Sequence, residues 1–74
     1  MEEYGYVKIK LKEVMQEKGM SKSKLAFRAE LQRTQLNLYY NNEINRVDLH
    51  VLSRICKALD CDINDLLEYI PPVS

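Results

Sequence analysis

The sequence predicts an all-α fold of five short helices preceded by a short extended arm. Apolar residues recur at three- and four-residue spacing in successive short segments. Ser, Asp and Gly stand at the ends of those segments, where helices start and stop. The chain has 74 residues, 46% of them apolar, with 2 Gly and 2 Pro. That composition excludes a disordered or collagen-like chain and suits one small domain spanning residues 1–74.

Taken in order, residues 1–8 form the arm. At its end and just beyond, Val7, Ile9 and Leu11 alternate with Lys8, Lys10 and Lys12, which is strand period over Tyr6 to Ile9. An isolated strand cannot satisfy its own backbone groups, so a partner's arm is one candidate to pair with it. From Leu11 the period lengthens through Val14 and Met15, predicting helix one over 10–18, closed by Gly19. Ser21 is a good N-cap for helix two over 22–29, with Leu25, Ala26 and Ala29 facing inward. Helix three covers 33–41. Asp48 caps helix four over 49–59, whose core arc is Leu49, Leu52, Ile55, Cys56 and Leu59, with His50, Arg54 and Lys57 opposite. Asp62 and Asp65 have capping-box spacing for helix five over 63–69, and Pro71 and Pro72 end it. Some of the apolar surface of Leu66, Leu67, Tyr69 and Ile70 is available for a dimer contact.

No apolar run approaches the roughly 18 residues of a membrane span, and MEEYGYVKIK lacks the plan of a signal peptide. A cytoplasmic protein is expected. Cys56 and Cys61 have no His or Cys cluster around them, so reduced, packed thiols are expected and no metal site. The one histidine, the missing Gly-rich phosphate loop and the absence of a Ser/His/Asp or Cys/His set argue against an enzyme, a cofactor or a small-molecule substrate.

The formal net charge is zero, but its distribution is uneven. Residues 8–33 hold eight basic and three acidic side chains, and residues 43–74 hold three basic and six acidic. One half can therefore present a cationic surface.

Helix three is the informative segment. At ~100° per residue, with Leu36 at zero, Tyr39 and Tyr40 fall at about 300° and 40° and complete a core stripe. Asn37, Asn41, Thr34 and Leu38 fall between about 100° and 200°, on the outer face. No acidic residue lies between Gln32 and Asn42. A solvated helix face usually carries Glu and Lys pairs. This one carries amides, a hydroxyl and a leucine, the groups that meet base edges and thymine methyls.

Helices two and three, residues 21–42, form a helix-turn-helix pattern. The runs SKSKLA, ELQRTQL and YYNNEINRVDLHVLSRICKALDCDINDLLEYI, after a first helix ending in EKG, resemble the phage-repressor (Cro and XRE-type) DNA-binding domains. The likeness extends over about residues 9 to 70. It implies a lambda-repressor-like helix-turn-helix fold with Leu25, Ala26, Leu31, Leu36 and Tyr39 in the core. It also implies a recognition helix in the major groove of double-stranded DNA. Gln32, Arg33, Thr34 and Leu38 then stand where members touch bases; Lys22, Asn41 and Arg46 match phosphate-contact positions. Asn37 is added by its angle.

Two positions depart from the family pattern. Glu30 occupies a turn position that is usually glycine and left-handed, at a cost of about 1 kcal/mol. A glutamate there is expected to point away from phosphate. Gln32 replaces the usual Ser or Thr N-cap, weakening the start of helix three. The function implied is sequence-specific DNA binding by a transcriptional regulator, in particular a repressor acting as a homodimer on a pseudo-palindromic operator. The competing expectation is an antitoxin or anti-repressor-like protein-interaction module with weak DNA binding, which the neutral net charge and the acidic C-terminal half favour.

Overall fold

The structure, a computed structural model, describes residues 3–73; residues 1 and 2 of the expected arm lie outside the described residues. The elements run β1 (Tyr6–Ile9), α1 (Leu11–Lys18), α2 (Lys22–Ala29), α3 (Arg33–Tyr40), α4 (Leu49–Leu59), α5 (Ile63–Leu66) and β2 (Leu67–Ile70). The five-helix expectation holds. Leu11, Leu25, Ala29, Leu36, Tyr39, Ile55 and Leu66 are fully buried at the centre of one cluster that also takes in Leu31.

The helix ends follow the local chemistry. The Ser21 hydroxyl accepts from the Lys24 N–H at 3.1 Å and opens α2. Asp48 accepts from the His50 N–H at 2.8 Å and opens α4. Asp62 and Asp65 form the expected capping box, with the Asp62 N–H donating to Asp65 Oδ2 at 3.0 Å. Gln32 precedes α3 without a side-chain cap. Gly19, Glu30, Asn42 and Asp60 lie in the left-handed region just past the ends of α1 to α4. At each, the next residue's N–H returns to the last turn, as in Leu31 to the Ala26 carbonyl at 2.9 Å. This is the Schellman closure. At Glu30 the strain of a non-glycine residue is accepted and the turn is not remodelled, with φ 57°.

The second half of the expected helix five is strand. α5 stops at Leu66, and Leu67–Ile70 pairs antiparallel with β1, Tyr6 opposite Ile70 and Ile9 opposite Leu67. The Lys10 N–H continues the ladder to the Leu66 carbonyl at 2.7 Å. The arm therefore finds its backbone partner within its own chain, where the sequence had left a partner's arm open. Gly5 makes this start possible: at φ 77° a Cβ would collide with the Ile70 carbonyl oxygen. The other edge of β1 is closed by a side chain. The Ile9 N–H donates to Asn42 Oδ1 at 2.7 Å, and Asn42 Nδ2 donates to the Ile9 carbonyl at 2.8 Å. Asn42 thus replaces a neighbouring strand and ties the arm to the end of α3.

Three further expectations need correction. Leu49 is 76% exposed, not core, whereas Val51 is 2% exposed. The buried arc of α4 is Val51, Leu52, Ile55 and Leu59, rotated about 50° from the arc centred between Leu49 and Ile55. Cys56 is only half-buried, at the edge of that arc. Arg54, placed on the solvent arc by its angle, is half-buried, and its Nε donates to the Ala29 carbonyl at 2.8 Å. A cation suits that carbonyl because it lies at the negative end of α2.

Cys56 and Cys61 are free and half-buried. They flank the closure at Asp60, with the Cys61 N–H donating to the Cys56 carbonyl at 3.0 Å. Burial, followed by the neighbouring Cys56, pushes the Cys61 thiol up to about 11. Neutral thiols, packed as small apolar groups, fit the end of α4.

Three substitutions at two positions test these turns by urea denaturation. Glu30→Gly is expected to raise stability by about 0.5–1 kcal/mol, left-handed strain being relieved and partly offset by glycine's greater freedom in the unfolded chain. Asn42→Ala is expected to lower it by about 2–3 kcal/mol, through two lost hydrogen bonds and the left-handed cost. Asn42→Gly should recover only about 1 kcal/mol of that loss.

Candidate nucleic-acid interface

The proposed reading face is built on the crossing of α2 and α3. α3 buries Leu36 and Tyr39 completely, and this fixes its roll. The Tyr39 hydroxyl accepts from the Asp48 N–H at 3.0 Å, linking α3 to the start of α4. With that side held inward, the opposite side faces solvent. Gln32, Arg33, Thr34 and Asn41 are exposed, Leu38 is 37% exposed and Asn37 is half-buried. The angular reading of α3 from the sequence agrees with this burial. Tyr40, placed in the core stripe, is half-buried and packs against the core from its edge.

The structure brings some of the expected residues together and leaves others separate. Lys22, at the first position of α2, donates from Nζ to Asn37 Oδ1 at 2.9 Å. The same ammonium lies 4.1 Å from the centre of the Tyr40 ring, a cation–π arrangement. Arg33 donates from an Nη to the Ser23 hydroxyl at 2.7 Å. These contacts bridge the first turn of α2 to the outer side of α3. Thr34, Leu38 and Asn41 share that side of α3 by spacing. Arg46 is exposed in the segment between α3 and α4 and is not drawn into this group.

Three participants were not legible in the sequence. Ser23 orients Arg33, Tyr40 carries Lys22, and Asn42 anchors the arm beside the end of α3. Only Asn42 had a signal, because asparagine just past a helix tolerates the left-handed region.

Charge supports the same face. From Lys22 to Asn42 the cations are Lys22, Lys24, Arg28 and Arg33, and the one acid is Glu30. Glu30 lines a cleft with Arg28, Arg54 and Lys57 between α2 and α4, apart from the outer residues of α3. An ion pair, Lys8 Nζ to Glu13 at 3.2 Å, lies elsewhere, at the start of α1. Glu13 is held below the usual carboxylate range by a backbone hydrogen bond in that first turn and by Lys8.

Residues 10–72 match the profile of the Cro/C1-type HTH DNA-binding domain. Among solved structures, the crystal structure of the transcriptional regulator VanUg (Form II) is similar at TM-score 0.74 and 27% sequence identity, covering 95% of this chain and 92% of that one. No curated protein matches significantly. With the profile spanning most of its length, the chain belongs to the Cro/C1-type helix-turn-helix DNA-binding domain family.

Proposed function

We propose that the protein is a sequence-specific transcriptional regulator, acting as a repressor, which lays α3 in the major groove of double-stranded DNA. The observation that carries this reading is the outer side of α3. It has two amides, a hydroxyl, an arginine and a leucine with no acid among them, on a helix whose roll is fixed by buried Leu36 and Tyr39. Membership of a DNA-binding family supports it, as does the similarity to a transcriptional regulator.

In this reading each residue has a role set by its chemistry. Arg33, at the first turn of α3, makes a bidentate contact to guanine O6 and N7. Thr34 and Gln32 reach a base edge or a phosphate, and Asn37 reaches a base edge. Leu38 meets a thymine methyl. Lys22, Asn41 and Arg46 contact phosphates and fix register, with the N-terminus of α2 adding its positive end. Phosphate contacts supply salt-dependent affinity and base contacts supply choice.

A homodimer on a pseudo-palindromic operator would set two recognition helices about 34 Å apart, one duplex turn. Exposed Tyr6, Val7 and Tyr69 on the small sheet offer apolar surface for a second copy.

Gel shifts across a salt series, using an operator selected from random DNA and a scrambled control, test the assignment. Arg33→Ala is expected to lose preference for the operator by 1–3 kcal/mol, roughly 5- to 150-fold. Arg46→Ala should weaken operator and control alike and reduce the salt slope by about 1. Leu38→Ala should lose selection for thymine at one position. Unchanged binding and selectivity in all three variants would remove the face assignment. A wild-type protein that shows no salt-dependent DNA binding but co-purifies with a stoichiometric partner would point to a protein-interaction module.

A further inference from the structure

The amide of Asn37 is oriented. Its Oδ1 accepts from Lys22 Nζ at 2.9 Å. An ammonium has only donors, so the oxygen must face α2 and the nitrogen must face the other way. Lys22 is itself held: it is half-buried, and its Nζ lies 4.1 Å from the centre of the Tyr40 ring. Among the described residues Nδ2 donates to no protein group, and no buried side-chain nitrogen or oxygen lacks a partner. Nδ2 therefore opens to solvent, on the outer side of α3.

The orientation has a consequence for recognition. A free asparagine pairs best with adenine, its oxygen accepting from N6–H and its nitrogen donating to N7. With Oδ1 held at α2 by an ammonium, that bidentate contact is closed and only the Nδ2 hydrogens are available to the groove. Donors match guanine O6 and N7, thymine O4 and adenine N7. Cytosine offers the groove only its amino donor and has nothing for Nδ2 to meet. We infer that Lys22, braced by Tyr40, is a positioning residue that turns Asn37 into a hydrogen-bond donor, removing a free asparagine's preference for adenine and making it reject cytosine at one operator position.

This inference rests on the proposed reading of α3 as the recognition helix, and two measurements separate the two. The first is side-chain amide NMR of the free protein. Lys22→Met keeps an unbranched side chain and removes the donor. It is expected to shift the Asn37 Nδ2 resonances while leaving those of Asn45 in place, and Tyr40→Leu is expected to shift them in the same sense. Unmoved Asn37 resonances in both variants overturn the inference, whether or not the protein binds DNA.

The second measurement is selection from a random duplex pool by wild type, Asn37→Ala and Lys22→Met. The position read by Asn37 is the one whose preference disappears in Asn37→Ala. Wild type is expected to disfavour cytosine there by about tenfold without singling out adenine, and Lys22→Met to single out adenine. The same base preference in Lys22→Met as in wild type overturns the inference and leaves the proposed function standing. A wild-type protein that selects no sequence overturns the proposed function, and with it the role in recognition.

Discussion

One backbone constraint underlies the candidate interface. α2 must stop after Ala29 and the chain must turn sharply enough to set α3 across it. Glu30 does this at φ 57°. Its N–H returns to Phe27, the next N–H returns to Ala26, and Leu31 is driven into the core at 7% exposure. The Ala29 carbonyl left at the helix end is taken by Arg54 from α4. The crossing is thus fixed from both sides, by a strained residue in the turn and by a cation behind it. Without that crossing neither Ser23 and Arg33 nor Lys22 and Asn37 would meet, since each pair is separated by at least ten residues of chain.

The same closure ends four successive helices with only one glycine among Gly19, Glu30, Asn42 and Asp60. Left-handed strain of about 1–2 kcal/mol at each non-glycine position is accepted because the surroundings over-determine the turn. Buried Leu31 anchors one, and the two-way hydrogen bond of Asn42 to Ile9 anchors another. Asn42 has a second effect. By standing in for a strand it blocks half of the free edge of β1, which limits unwanted pairing there.

Much of the fold was legible because local chemistry decided it. Ser21, Asp48 and Gly19 marked helix ends correctly, and the stripe of Leu36 and Tyr39 set the roll of α3. The failures occurred where distant chain segments decide. Leu67 to Ile70 is apolar enough for either helix or strand, and its pairing with β1, some sixty residues away, selects strand. Leu49 lies on the edge of the α4 arc, and only the position of the neighbouring helices shows that Val51 fills the core in its place. Arg54 looked solvated until α2 brought a carbonyl to it. The outer residues of α3 could be listed from angles alone. The contacts that orient Arg33 and Asn37 could not, because they depend on a crossing geometry that no local pattern encodes.

The outer side of α3, with the first turn of α2, is the proposed DNA-contacting surface. Backbone amide NMR of the protein titrated with duplex DNA at low salt tests it most directly, since even non-specific binding engages the same face. The predicted result is a contiguous set of shifts over Lys22, Ser23 and Arg33 to Asn41, with Leu49, Ile63 and Tyr69 undisturbed. Shifts centred on α4, α5 or β2 with α3 silent would contradict the account.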